Sequence, residues 1–294
     1  MRKACWEKNL FELIRRTSTD LPSDVELALK RALRREKKGS RAHWAIQAIL
    51  DSAELARAKD VPICQDTGTL IFYLSVPVGS DTNALVARTR TAVAKATRAG
   101  YLRQNTIDAV SGAKYETNIA HASPVFHFEQ GARKTFSVKL VMTGAGPENV
   151  GCQYMLPDAD LKAECDLEGV RRCILDAVWK AQGRGCTPAV LGVCVGGDRA
   201  TGYAHAKEQF LHKVGEHSRV KSLERLQERI MRESRKLGIG PMGLGGKTTL
   251  LGVNIGSLSR ISGCFFVSVA CMCWAFRRRG AIMGPEGGVH RWLY

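Results

Sequence analysis

Residues 61–69 read Val-Pro-Ile-Cys-Gln-Asp-Thr-Gly-Thr. A thiol (Cys64), an amide (Gln65), a carboxylate (Asp66) and two hydroxyls (Thr67, Thr69) fall within six residues. Such a set can ligate a metal, move a proton or grip a polar substrate. Pro62 stiffens the entry, and Gly68 permits a turn that most residues resist. The apolar run Leu70 to Leu74 follows and predicts a buried strand. A polar turn before a strand would look the same locally, so the wider sequence has to decide.

Other stretches carry chemical potential. Thr143-Gly144-Ala145-Gly146-Pro147-Glu148-Asn149 is a glycine-rich segment after a predicted strand, which suits close backbone approach to an anion. Gly238 to Thr249 holds five glycines, one Lys and two Thr. Its tail Gly246-Lys247-Thr248 looks like a Walker A ending. Pro241 stands where the first glycine belongs, and a strand follows where a helix should, so the nucleotide reading fails. A carboxylate cradle remains. Gly196-Gly197 after a strand lacks the GxGxxG spacing of a dinucleotide site.

The ten cysteines include no CxxC pair, which argues against a zinc ribbon or a thioredoxin-like motif. With no apolar signal-peptide core at the start, they point to free thiols in a reducing, cytoplasmic setting. Thiolates far apart in sequence could still share a cluster without a local spacing signature.

The elements that position these groups follow from periodicity. Residues 5–17, a stretch ending near Lys37, and Arg41–Lys59 have helical spacing, so residues 1–60 are expected to be mostly helical. Trp44, Ile46, Ile49, Leu50 and Leu55 are expected on the buried side of the third helix. A strand over 69–76 leads to a helix capped by Asp81. Pro124–Phe128 and Thr135–Val141 alternate as two strands with Gly131 in the turn. Leu167–Gln182 is a helix, Ala189–Val195 a strand, 200–214 and 223–237 helices, and Leu250–Val253 a strand. Gly263–Phe276 reads as one buried strand, too short to span a bilayer. The expected class is α/β, with mixed β-sheets flanked by helices and a helical N-terminal segment. One domain over residues 1–294 is the simplest organisation.

The net charge of +16 raises nucleic-acid binding as an alternative. The basic residues are spread along helices, aromatics are only 7%, and no stacking or helix-turn-helix pattern occurs. A solvated helix face explains the charge better, and a positive field also attracts small anions. A structural zinc–thiolate protein is a second alternative.

Four segments taken together resemble one family. They are Pro62–Thr69; Cys186-Thr187-Pro188 with Gly192–Gly197; Leu237–Thr249; and Cys273-Trp274-Ala275-Phe276-Arg277-Arg278. They are similar in order and spacing to the iron–sulfur class I fumarate hydratases and to the α subunits of fumarate and tartrate dehydratases. The resemblance covers roughly residues 40 to 294. It implies a [4Fe–4S] cluster held by Cys64, Cys186 and Cys273, with one iron open to substrate. Cys271 is the rival for the third position; Ala275 and Arg277 favour Cys273 by meeting a C-x-A-x-R pattern. The resemblance further implies substrate contacts from Gln65, Asp66, Arg103, Gly144 and Gly146. Asp66 and Gln65 would be the catalytic pair, with Asp66 in acid/base work. The implied activity is a hydro-lyase acting on a small dicarboxylate, fumarate/malate first and tartrate next. A β subunit would complete the site, in an α2β2 assembly or a homodimer of αβ units. No nucleic-acid or membrane partner is implied. The chain departs from the family where a GGGSEN loop carries Pro147 in place of Ser, and where Ser259 precedes Arg260 in place of a frequent His.

Overall fold

A computed structural model describes residues 3–294, so the first two residues of the expected helical segment lie outside it. In chain order the elements are α1 (Lys3–Thr19), α2 (Ser23–Arg35), α3 (Arg41–Lys59), β1 (Thr69–Pro77), α4 (Thr82–Arg98), β2 (Val125–Gly131), β3 (Phe136–Thr143), α5 (Ala145–Val150) and β4 (Cys152–Met155). Then come α6 (Leu167–Ala181), β5 (Ala189–Gly196), α7 (Arg199–Glu208), α8 (Lys221–Ser234), β6 (Leu250–Leu258), β7 (Phe266–Met272), β8 (Arg277–Met283) and β9 (Val289–Leu293). The class is α/β with two mixed sheets, as the sequence predicts. Contacts divide the chain into two compact units. Of the described residues, one comprises 3–23, Asp51–Gly144 and Arg277–Tyr294; the other comprises Asp24–Leu50 and Ala145–Phe276.

The first unit is built on a five-stranded sheet in the order β2-β1-β3-β8-β9. Alternate residues Leu70, Phe72, Leu74 and Val76 of β1 and Val138, Leu140 and Met142 of β3 point into one core. Trp6, Leu10, Leu13 and Ile14 of α1 and Leu85, Val93 and Ala96 of α4 cover it. Asp81 caps α4 as expected, accepting from the Ala84 N–H.

The expected hairpin between residues 124–128 and 135–141 does not form. β1 lies between the two strands, parallel to β2 and antiparallel to β3. The reason is burial. β1 is buried on both faces and belongs in the sheet interior, whereas β2 is half exposed and takes an edge. Residues 132–135 need to cross only about two strand spacings, roughly 10 Å, which four residues reach.

The second unit holds a four-stranded sheet in the order β4-β7-β5-β6. β5 is buried along its whole length, parallel to β6 and antiparallel to β7. Val170, Ile174 and Val178 of α6 and Leu223, Leu226 and Ile230 of α8 pack on this sheet.

Three other expectations change. Trp44 and Leu55 are 64% and 54% exposed. The buried stripe of α3 runs through Ala42, Ile46, Ile49, Ala53 and Ala56, and at about 100° per residue positions 44 and 55 face away from it. The run from Gly263 to Phe276 is not one strand. β7 stops at Met272, residues 273–276 turn, and Arg277 starts β8. The glycine-rich segment after β3 winds into α5.

Candidate functional site

In the first unit, two loops bring polar groups together. One precedes β1 and holds residues 61–68; the other follows α4 at residues 99–105. Thr67, 3% exposed, joins them. Its hydroxyl donates to the Arg103 carbonyl (2.9 Å) and accepts the Arg103 N–H (2.6 Å). Gly68 makes a third fixed point. Its φ of +72° is left-handed, and a Cβ there would sit 2.2 Å from the Thr143 carbonyl oxygen. No other residue type fits without moving β3.

This frame orients the side chains. Asp66 Oδ1 accepts from the Gly68 N–H (2.9 Å) and from Asn105 Nδ2 (2.7 Å). The Asp66 N–H points at Cys64 Sγ, 3.4 Å away, and hydrogen bonds to cysteine sulfur are one lever a protein has on an iron–sulfur centre. Arg103 Nη1 donates to Gln65 Oε1 at 3.5 Å, a long contact that a substrate carboxylate could replace. Cys64, Gln65, Asp66 and Arg103 are thus gathered in one place. Asn105 was not singled out from sequence, and Thr67 was marked only as one hydroxyl among several, not as the tie between the two loops. Asn105 had a visible signal, since it lies two residues beyond Arg103.

In the second unit, Cys186 and Cys273 are brought together through their backbones. The Trp274 N–H donates to the Cys186 carbonyl at 3.2 Å. Cys186 has φ +54°, a left-handed conformation uncommon outside glycine that turns the chain sharply at the thiol. The turn is held by the glycine-rich segment: the Met242 N–H donates to the Thr187 carbonyl (2.9 Å), and the Thr187 hydroxyl to the Gly240 carbonyl (2.7 Å). Gly146 lies against the same place, where a Cβ would meet Cys186 Sγ at 3.5 Å. Gly144 belongs to the first unit and Gly146 to the second. Glu148 of the same segment is fixed by Lys207 Nζ at 2.7 and 2.9 Å.

The carboxylate cradle expected in Gly238–Thr249 exists, and it holds a carboxylate of the chain itself. Glu36, just after α2 and 8% exposed, accepts the Lys247 N–H (3.0 and 3.2 Å) and the Thr248 N–H (2.7 Å). No spacing in the sequence links Glu36 to residues more than two hundred positions away.

Other thiols differ in setting. Burial pushes Cys173 up to about 12 and Cys194 up to about 11, and it also raises Cys152 and Cys271. Burial disfavours a thiolate at each. Cys271 is one of the apolar core residues of the second unit, and its sulfur abuts Gly185. Arg260 spends its Nη1 on the carbonyls of Ile261, Ser262 and Cys264, closing its own loop.

The donor chemistry fits an iron–sulfur cluster, for which soft thiolates are the usual ligands. Arg277, four residues after Cys273 and 1% exposed, has an Nε with no hydrogen-bond partner among the described residues. A buried unmet donor calls for an anionic group. Among the described residues no three Cys, His, Asp or Glu side chains converge as tightly as a single metal ion needs. A four-iron cube takes its thiolates at separate corners and spaces them more widely.

Comparison with known proteins adds to this geometry. The family model for fumarate hydratase (fumerase) matches residues 7–282. A Geobacillus stearothermophilus protein that carries the provisional name fumarate hydratase class I is 43% identical over 291 residues, 98% of this chain. The chain spans 57% of that protein's length. A Methanocaldococcus jannaschii protein provisionally named L(+)-tartrate dehydratase subunit alpha is 31% identical over 280 residues, 92% of this chain and 94% of its own. The L(+)-tartrate dehydratase subunit alpha of Escherichia coli is 26% identical over 267 residues, 89% of this chain and 85% of its own.

Proposed function

The chain belongs to the class I fumarate hydratase family, and on that premise we propose that it is the cluster-binding part of a hydro-lyase acting on a small dicarboxylate. Fumarate and malate are the first candidates, given the 43% identity to a protein named for that reaction; tartrate follows from the α-subunit relatives. The observation that carries the reading is the pinning of the Cys273 and Cys186 turns by the Trp274 N–H, beside Gly146, where a side chain would touch the Cys186 sulfur.

Cys64, Cys186 and Cys273 would hold a [4Fe–4S] cluster. When bound, such a cluster supplies one iron without a protein thiolate as a Lewis acid toward a substrate hydroxyl. The chain's own residues do the rest. Arg103 pairs with a substrate carboxylate and gives up its long contact to Gln65. The Gln65 amide, freed from Arg103, orients the substrate. Asp66, aimed by Asn105 and by the Gly68 N–H, moves the proton as water is added or lost. The backbone at Gly144 and Gly146 allows close approach of the substrate.

A partner completes the site. Two relatives are named as α subunits, which supports a β subunit supplying the remaining groups, in an α2β2 assembly or a homodimer of αβ units. Free thiols suit a cytoplasmic setting. No helix among the described residues is long and apolar enough to cross a membrane.

Anaerobic purification followed by fumarate hydration with and without the partner tests the proposal. The expected protein is brown, with about four irons and four sulfides per chain, and turns over only when the partner is added. A colourless zinc protein would overturn the cluster, and full turnover by the chain alone would overturn the partner.

A further inference from the structure

A cavity of 520 Å³ opens in the second unit, lined by α2, α8, the residues following α8, and segments 214–217 and 251–253. Four arginines face it. Arg31 and Arg35 stand one turn apart on α2; Arg232 lies in the last turn of α8, and Arg235 follows three residues later, just past its end. Among the described residues none of the four is in an ion pair. They crowd one another: the Arg35 guanidinium is pushed below its ordinary value by burial and by the charges of Arg235 and Arg31. Like charges held close repel one another, and an anion bound between them lowers that cost.

The lining has a second character. Leu27 of α2, Met231 of α8 and Leu251 of β6 give it an apolar patch, and Leu27 is 45% exposed. The volume lies within the roughly 300–1,000 Å³ range of small-molecule sites. Three carboxylates also line it. Asp24 accepts the Val214 N–H at 2.7 Å, and Glu216 accepts the Lys213 N–H at 2.9 Å and meets His212 Nδ1 at 3.0 Å. Glu228 is the third. Their negative charge opposes a continuous phosphodiester strand laid through the cavity. A compact ligand reaching only the arginines escapes that repulsion.

We propose that this cavity binds a small organic polyphosphate, its phosphates held by Arg31, Arg35, Arg232 and Arg235 and its organic body resting on Leu27, Met231 and Leu251. Guanidinium forks suit phosphate oxygens in pairs. Four guanidinium charges outnumber the roughly two negative charges of one phosphate, which favours a polyphosphate over a monophosphate. The proposal stands apart from the hydro-lyase site and uses none of its residues.

The test is calorimetric titration of the full chain with ATP and with tripolyphosphate at fixed ionic strength. The expected result is saturable binding of one ATP per chain, with tripolyphosphate weaker because it lacks the organic body. Arg35→Gln and Arg232→Gln should each weaken ATP binding by about tenfold or more. Both arginines are exposed, so these variants keep the fold. Lys114→Gln, on an exposed loop of the other unit, should leave ATP binding unchanged. No saturable binding overturns the proposal, as does an unchanged ATP affinity in both arginine variants. Displacement of ATP by duplex DNA at equal phosphate concentration would assign the arginines to nucleic acid and overturn it too.

Discussion

Removing the Glu36 carboxylate should weaken the chain far more than removing an ordinary surface charge. Glu36 is buried and accepts two backbone N–H groups, from Lys247 and Thr248. In Glu36→Ala both donors lose their acceptor while still enclosed. An unmet buried donor costs about 1–3 kcal/mol, so the pair costs roughly 2–5 kcal/mol after partial relaxation. For a chain of this size a urea m-value near 3 kcal/mol/M would turn that into a midpoint drop of about 1 M. Both donors make their shorter bond to Oε1, so Glu36→Gln with its oxygen there keeps an acceptor for each, loses only the longer Lys247 contact to Oε2, and should cost clearly less than Glu36→Ala. Glu26→Gln is the control. It removes an exposed ion pair with Lys30 on the same helix and should cost under about 0.5 kcal/mol. The assay is equilibrium urea unfolding followed by circular dichroism, with equal m-values required across variants. A Glu36→Ala midpoint no lower than that of Glu26→Gln would refute the reasoning, since the enclosed N–H groups would then have found other partners.

Cys64→Ser, Cys186→Ser and Cys273→Ser should each abolish iron and sulfide uptake, while Cys152→Ser, Cys194→Ser and Cys271→Ser retain it. Iron analysis decides, and full iron in Cys273→Ser with loss in Cys271→Ser would move the third ligand. Arg103→Ala, assembled with the partner, should weaken the protection that dicarboxylate gives against air inactivation by about tenfold to a hundredfold. Coincident inactivation curves for the two proteins would remove Arg103 from the substrate site. Glu12 offers a pH test: hydrogen bonds from Arg15, then Arg16, hold its carboxyl down to about 2 from an ordinary 4.5. A lowered native value gives stability present above 4.5 and lost as the pH falls toward 2. Urea midpoints of the parent chain and Glu12→Gln should therefore differ most near about pH 7 and converge near about pH 2.5; a constant gap would refute the assignment.

Much of the fold was legible because periodicity is a local signal. α3 begins and ends where the sequence puts it, at Arg41 and Lys59, and Asp81 caps α4 as its spacing predicts. The errors are non-local. Whether β2 pairs with β3 depends on a strand fifty residues earlier, and only the burial of β1 on both faces hints at it. In the candidate site, Gln65, Asp66 and Arg103 were marked from sequence, and the loops do gather them. What ties those loops was not legible. The bonds of Thr67 to the Arg103 backbone, and the peptide N–H of Trp274, carry no compositional mark. The glycine-rich segment shows how far a motif reaches: its composition announces a carboxylate cradle, but not that Glu36 fills it.

The strand order of the five-stranded sheet has a consequence for how the chain is made. β3 pairs with β8 from Phe136 to Met142, so the partner of that edge is synthesised about 140 residues later. Residues 145–276, most of the second unit, leave the ribosome in the meantime and bring both partners of every strand pair in their sheet. The first unit must wait, with β2, β1 and β3 able to assemble while β3 shows an unpaired, largely apolar edge. Such an edge on a nascent chain recruits neighbouring chains on the same message, and long-range pairing of this kind is slow. Yield in a cell should thus depend on the pace of translation between codons 143 and 283 and on chaperone supply during that interval, more than on the final stability of the folded protein.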